Sequence, residues 1–265
     1  MRSKVVLVTG GSSGIGKATA EWFLHKGFHV YELSRHRSVV RGAIHLTGDV
    51  TSPQSCSWAV SDVMVREKWI DVLICNAGMG ISGAAEFTSQ EDVRQQMDVN
   101  FCGVANMVQA VLPYMRRQFS GRILIVSSMA AVFSIPFQSF YSASKAAVNA
   151  YALALRNEVS PFGIKVGVLM PGDVCTGFTS ARLKNDRDRN VYACSEHAVA
   201  VMEHDERHGQ SAQRIARRLY HLAVCDFLPV YNYEGWKYRL FAFCAKIFPA
   251  TLCNFVVRRL YCGRF

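Results

Sequence analysis

Val5-Val6-Leu7-Val8-Thr9-Gly10-Gly11-Ser12-Ser13-Gly14-Ile15-Gly16 is the stretch that decides the fold. Four apolar, mostly β-branched residues read as a strand covered on both faces, and the glycine-rich turn after them opens directly onto a helical pattern. In such a turn backbone N–H groups approach a pyrophosphate at the positive end of the helix. Gly10 suits the tight turn, Gly14 the close approach of ligand, and Gly16 the packing of helix on strand. Ser12, Ser13 and Ile15 complete the loop. The glycine spacing is wider than GxGxxG, but the strand–turn–helix context is the required one.

Working outward, short apolar runs at Val5–Val8, His29–Leu33, Ala43–Leu46, Val72–Cys75, Arg122–Ser127 and Lys165–Met170 read as buried strands. Helix-length segments lie between them at Gly16–Lys26, Pro53–Arg66, Ser89–Val99, Gly103–Arg117 and Ser144–Val159. This alternation predicts an α/β fold, a doubly wound parallel sheet of Rossmann type, with ligands beyond the carboxyl ends of the strands. No repeat or linker interrupts it, so residues 1–265 are expected to form a single domain. The style changes after Gly177. Thr179–Arg189 reads as a mobile polar loop, and Tyr192–His208 and Gln213–Ala223 read as helices, so 178–223 is expected to be a substrate lid. Residues 235–265 form a tail with Lys237, Arg239, Lys246, Arg258, Arg259 and Arg264, many large apolar side chains and no acidic residue.

Half of the 265 residues are hydrophobic and 19% are charged, which excludes disorder. The formal charge of +10 could attract nucleic acid, anionic lipid or a phosphorylated ligand. No helix-turn-helix, zinc or stacking-platform signature accompanies it, so nucleic acid is not expected. The nine cysteines are odd in number and include no CxxC pair, which points to reduced thiols in a cytoplasmic protein with no metal site. The first strand begins too early for a signal peptide, and no apolar run is long enough to span a bilayer.

The second strand should end at an acid that holds the adenine ribose. Here it ends Glu32-Leu33-Ser34-Arg35-His36-Arg37. Ser34, Arg35 and Arg37 offer a hydroxyl and guanidinium donors that suit a 2′-phosphate, hence NADP(H). Glu32 competes for the ribose but lies within the strand. Further on, Tyr141 and Lys145 are four residues apart on one helix face. An ammonium beside a phenol favours the phenolate and makes tyrosine a usable acid–base. Ser128, at the carboxyl end of its strand, can hydrogen-bond a substrate oxygen.

Together these features resemble the short-chain dehydrogenase/reductase family, of the TGxxxGxG and YxxxK type. The resemblance runs over roughly residues 4–180 and seven ordered motifs: Thr9–Gly16, Asp49-Val50, Asn76-Ala77-Gly78, Asn100, Ser128, Tyr141 with Lys145, and Pro171-Gly172 with Thr176. It implies that Asp49 and Val50 hold the adenine and that Asn76, Ala77 and Gly78 line the nicotinamide ribose side. Asn100 would distort its helix and hold a water that links Lys145 to solvent. Lys145 would also bind the ribose hydroxyls, and Val174 and Thr176 would fix the carboxamide beyond Pro171 and Gly172. Tyr141 would then exchange the proton while a nicotinamide exchanges hydride with a carbonyl or secondary alcohol.

Three variable stretches, Gly80–Phe87, Met129–Ser139 and Gly177–Gly209, should set the substrate. Val132, Phe133, Ile135, Pro136, Phe137 and Phe140 predict an apolar wall. The end of the chain is similar to members that act on steroids, retinoids, bile acids or lipid-derived ketones, and the family implies a homodimer or homotetramer. Two readings of the tail stay open: an interfacial helix on anionic membrane, broken at Pro249, or a cap on the pocket. A non-catalytic NADP(H)-binding regulator is the competing function class; it would be expected to lack Tyr141 or Lys145.

Overall fold

A computed structural model describes residues 2–37, 40–185 and 191–263. Seven parallel strands form its central sheet: β1 (Val5–Thr9), β2 (His29–Ser34), β3 (Ile44–Thr47), β4 (Val72–Cys75), β5 (Gly121–Val126), β6 (Ile164–Met170) and β7 (Tyr231–Tyr233), in the order β7-β6-β5-β4-β1-β2-β3. The order reverses beside β1, which opens the crevice expected of a doubly wound sheet. The strands are apolar without alternation because helices cover both faces; β1 and β4 are buried at every position.

One face carries α2 (Pro53–Glu67), α4 (Gly103–Gln118) and α5 (Ser139–Val159), whose Val60, Val63, Met107, Val111, Val148 and Ala152 meet Leu7, Leu73, Ile123 and Val166. Preceding α4 is α3 (Gln90–Met97). The other face carries α1 (Gly14–His25) and a helix formed by Ala212–Val224. That helix buries Ile215, Leu219 and Leu222 against Val6, Val8 and Phe23, each burial contributing about 1.5–3 kcal/mol. The expected lid therefore ends earlier than residue 223. Residues 178–185 and α6 (Ser195–Arg207) of that stretch lie outside the core clusters, while Ala212–Val224, now α7, belongs to the sheet core.

The tail folds into α8 (Trp236–Ile247) and α9 (Ala250–Cys262), separated at Pro249. Strand β7 was not legible in the sequence. Its Tyr-Asn-Tyr run is too short to show a pattern, and it exists because Tyr231 and Tyr233 pair alongside Val168 and Met170 at the sheet edge. Of the polar loop expected at Thr179–Arg189, residues 186–189 lie outside the described residues, as does Arg264 of the tail. None of the described helices is long and apolar enough to cross a membrane.

Candidate active site

A cavity of about 1500 Å³ runs along the carboxyl ends of the strands. Its first arm begins at the glycine turn. Gly10 and Gly14 have φ of +67° and +51°, and Gly16 sits where an added Cβ would lie 2.1 Å from the Gly10 carbonyl oxygen. Gly16 thus packs behind the turn, while Gly10, Ser12, Ser13, Gly14 and Ile15 line the cavity. The Ser13 side chain does not cap α1, and the first turn holds no acidic residue, so the leading amides suit an anion. Asn76 holds this turn in place: its Nδ2 donates to the carbonyls of Thr9 and Gly10 at 3.1 and 3.3 Å. Its backbone N–H and that of Ala77 donate to Thr9 Oγ1 at 3.0 Å each.

The arm continues past Ser34, Arg35, His36, Asp49 and Val50, all of which line it. Here two sequence expectations need correction. Arg37 is exposed and does not line the cavity. The Ser34 hydroxyl lies 2.9 Å from both Glu32 Oε2 and the His36 carbonyl oxygen, and its single proton is taken by one or the other. Glu32 is fully buried, with His45 on its other oxygen, and stands behind Gly11 outside the cavity lining. The carboxylate that competed in the sequence is thereby kept out of the cavity. Arg35 is the guanidinium that lines this arm, and His36 is a lining neighbour that the motif did not single out.

The second arm holds Ser128, Tyr141 and Lys145. Helix α5 starts at Ser139, five residues before the sequence suggested, so the tyrosine lies in its first turn. Lys145 is buried, its Nζ donates to the Val126 carbonyl at 3.0 Å, and it stands 5.8 Å from the centre of the Tyr141 ring. Burial lowers Lys145 to a pKa of about 8. Burial also pushes the Tyr141 phenol up to about 12, against a hydrogen bond to Ser128 that pulls it down. The expected drop in the phenol's pKa is therefore absent: removal from water outweighs the Ser128 hydrogen bond and the Arg182 guanidinium, which pull it down. Asn100 lies in a π-helical turn, Asp98–Cys102, as a distorted helix requires. Its amide accepts from Met79 N at 2.8 Å and donates to the Met79 carbonyl and Ser144 Oγ at 3.0 Å each. Asn100 does not line the cavity; it is separated from it by Gly78, where an added Cβ would lie 3.3 Å from Asn100 Oδ1 and 3.6 Å from Lys145 Nζ. Pro171, Gly172, Val174 and Thr176 close the arm, with Thr176 against Gly14.

A sequence model of the family described as short chain dehydrogenase matches residues 4–187. The chain belongs to the short-chain dehydrogenase/reductase family. It is 39% identical to the 3-ketodihydrosphingosine reductase of Bacteroides thetaiotaomicron over the full length of both chains. It is 30% identical to a Helicobacter pylori protein named probable short-chain type dehydrogenase/reductase VdlC, over 98% of each chain. A solved short-chain dehydrogenase from Streptomyces avermitilis is 28% identical and superposes with a TM-score of 0.82 over 92% of each chain.

In this short-chain dehydrogenase/reductase the third part of the cavity follows one of the two readings of the tail, that it caps the pocket, and departs from the wall expected of residues 132–140. From that expected apolar wall only Phe133 and Ile135 reach it; Val132, Pro136, Phe137 and Phe140 do not. Both tail helices line it instead, through Tyr238, Phe241, Phe248, Leu252, Val256 and Leu260. Tyr238 lies flat on Gly172, where an added Cβ would be 1.9 Å from the ring, and its hydroxyl donates to Asp173 Oδ2 at 2.9 Å. Phe178 from the lid meets the Tyr141 ring at 6.0 Å. These residues carry no motif; only long-range packing brings them to the site. Asp173, Asp205 and Glu206 also line the cavity.

Proposed function

We propose that the protein is an NADP(H)-dependent reductase of a long-chain, lipid-derived ketone. The observation that carries this reading is the continuity of the cavity: one wall holds Ser128, Tyr141 and Lys145, and the opposite end is an apolar trench built by α8 and α9. A bound nicotinamide supplies the hydride. Ser128 and Tyr141 hydrogen-bond the ketone oxygen, and Tyr141 delivers the proton from its hydroxyl as charge develops on that oxygen. Lys145 Nζ stands 5.8 Å from the centre of the Tyr141 ring, and its ammonium also suits the ribose hydroxyls. Asn100 orients Met79 and Ser144 and would hold the water that links Lys145 to solvent.

An apolar trench accepts an alkyl chain, and the relative from Bacteroides thetaiotaomicron is named as a 3-ketodihydrosphingosine reductase, which favours a lipid-chain ketone over a sterol or retinoid. The carboxylates of Asp173 and Asp205 give a polar or cationic head group a counter-charge between trench and phenol. For the cofactor, Arg35 beside the ribose position and the inward-facing Glu32 favour a 2′-phosphate over a bare ribose. Lys145 and Tyr141 are both present, against the non-catalytic reading. The test is turnover of 3-ketodihydrosphingosine and a panel of steroid ketones with NADPH and with NADH. Preference for NADPH of at least about tenfold, roughly 1.4 kcal/mol, is expected together with selective use of the alkyl ketone. Equal use of NADH, or turnover of sterol ketones alone, overturns the reading.

The same trench supports a membrane role for the tail. Phe241, Phe248, Leu252, Val256 and Leu260 line the cavity and are also exposed, so its mouth opens on the apolar face of α8 and α9. Trp236 and Phe243 extend that face at 79% and 60% exposure. Lys237, Arg239, Lys246, Arg258 and Arg259 surround it, all exposed. An anionic bilayer matches both the charge and the apolar area, and would deliver a lipid directly to the trench. Full-length protein is expected to sediment with phosphatidylserine-containing vesicles and to release as salt rises, each cation contributing about 1 kcal/mol. Vesicle-independent dimerisation through this face would show that a second copy covers it instead.

A further inference from the structure

The lid contains a charge pair, its guanidinium buried and its carboxylate half-buried, that none of the family motifs includes. Arg182, whose side chain is fully shielded from solvent, forms an ion pair with Glu206 of α6. Glu206 Oε2 also accepts from Thr179 Oγ1 at 2.7 Å. With its amide oxygen turned toward the guanidinium, Gln138 accepts from Arg182 Nε and Nη2 at 3.1 and 3.2 Å. The guanidinium faces the Phe178 ring at 5.8 Å, and that ring faces Tyr141 at 6.0 Å. Lys145 stands at 5.8 Å from the Tyr141 ring. The series Arg182, Phe178, Tyr141, Lys145 therefore connects the lid to the reacting phenol without interruption.

The lid is held in this position by more than the pair. Leu183 N donates to the Gly80 carbonyl at 3.1 Å, Asn185 N to the Ser82 carbonyl at 2.8 Å, and Lys184 pairs with Glu203 at 2.5 Å. Burying a guanidinium and a carboxylate is costly unless both are matched, so a pair at this depth next to a titrating phenol needs a reason beyond stability. We propose that Arg182 and Glu206 are positioning residues for the reaction, a lid-borne charge pair that seats Phe178 on Tyr141 and balances the field at its hydroxyl. The inference rests on Tyr141 being the proton carrier proposed above.

The two charges act on Tyr141 in opposite senses: Glu206 raises its pKa and Arg182 lowers it. The other groups that face the phenol are Ser128 from the loop after β5 and Lys145 from α5; Asp173, Asp205 and Lys237 line the cavity further along. Removing one member of the pair leaves the other uncompensated in a poorly screened place.

Three variants of the full chain test this: Arg182→Gln, Glu206→Gln, and the double variant. The first readout is the phenolate titration of Tyr141, taken as the ultraviolet difference between each variant and the same variant carrying Tyr141→Phe. The second is the pH profile of kcat for NADPH-dependent reduction of 3-ketodihydrosphingosine. Arg182→Gln should raise the Tyr141 midpoint and Glu206→Gln lower it, each by about half a pH unit or more. The double variant should return toward wild type. A purely structural role would move both single variants alike and leave the double variant at least as damaged, and that pattern overturns the proposal, as do unmoved midpoints. Midpoints that move as expected while the kcat profile stays in place would uphold the charge pair and instead remove Tyr141 as the proton carrier. If an unpaired single variant does not fold, the double variant and Arg182→Lys carry the test: recovery of the wild-type midpoint in both is expected, and loss in both refutes it.

Discussion

Placing a methyl group at Gly172 would test how the tail is joined to the active site. An added Cβ there would lie 1.9 Å from two atoms of the Tyr238 ring. Carbon atoms pack at about 3.5–4.0 Å, so the ring must withdraw by roughly 2 Å. Tyr238 is not free to do so. Its hydroxyl donates to Asp173 Oδ2 at 2.9 Å and accepts from Asp173 N at 3.1 Å. Losing one neutral and one charge-assisted hydrogen bond costs about 2–4 kcal/mol, before any gap left along α8. For a domain of this size that corresponds to a fall in Tm of about 4–8 °C. Differential scanning calorimetry of Gly172→Ala measures it, and kcat/KM for an alkyl ketone should fall by about tenfold or more as the wall of the cavity shifts. In a Tyr238→Ala background the ring is gone, so adding Gly172→Ala should cost little further, a coupling of about 2 kcal/mol or more. A Gly172→Ala protein that melts with wild type refutes the contact. The same cost in both backgrounds would show that Gly172 is required for some other reason.

Tyr141→Phe is expected to abolish turnover while NADP(H) affinity, read by fluorescence titration, stays within a few-fold, because the proton and not the ring is needed for chemistry. Lys145 carries a pH signature in stability. Its folded pKa of about 8 lies below that of an unfolded lysine. Between those values the unfolded chain holds a proton that the folded protein has released, so stability attributable to Lys145 rises with pH across that window, by up to about 3 kcal/mol. Urea unfolding at pH 8 and pH 10, set against Lys145→Met, should show the gain in wild type only; an equal pH response in both proteins refutes it.

Residue types and local spacing were enough to determine most of the architecture and to pick out candidate acid–base groups that share one cavity. A continuous β-branched run is stable only when covered on both faces, so β1, β4 and β6 announce a parallel sheet. A tyrosine and a lysine four apart on α5, a serine at the end of β5 and the glycine turn after β1 are each positioned by their own element, and the sheet brings them together. What joins residues far apart in the chain was decided only by tertiary packing. Strand β7 exists through its register with β6, α7 leaves the expected lid because its apolar face matches α1, and the Ser34 hydroxyl is engaged by Glu32, which His45 meets on its other oxygen. Arg182 finds Glu206, and Tyr238 finds Gly172, across separations that carry no periodic signal. Short-range spacing is written in the order of the residues. Long-range contact depends on which side chains fill the same volume once the layers have closed.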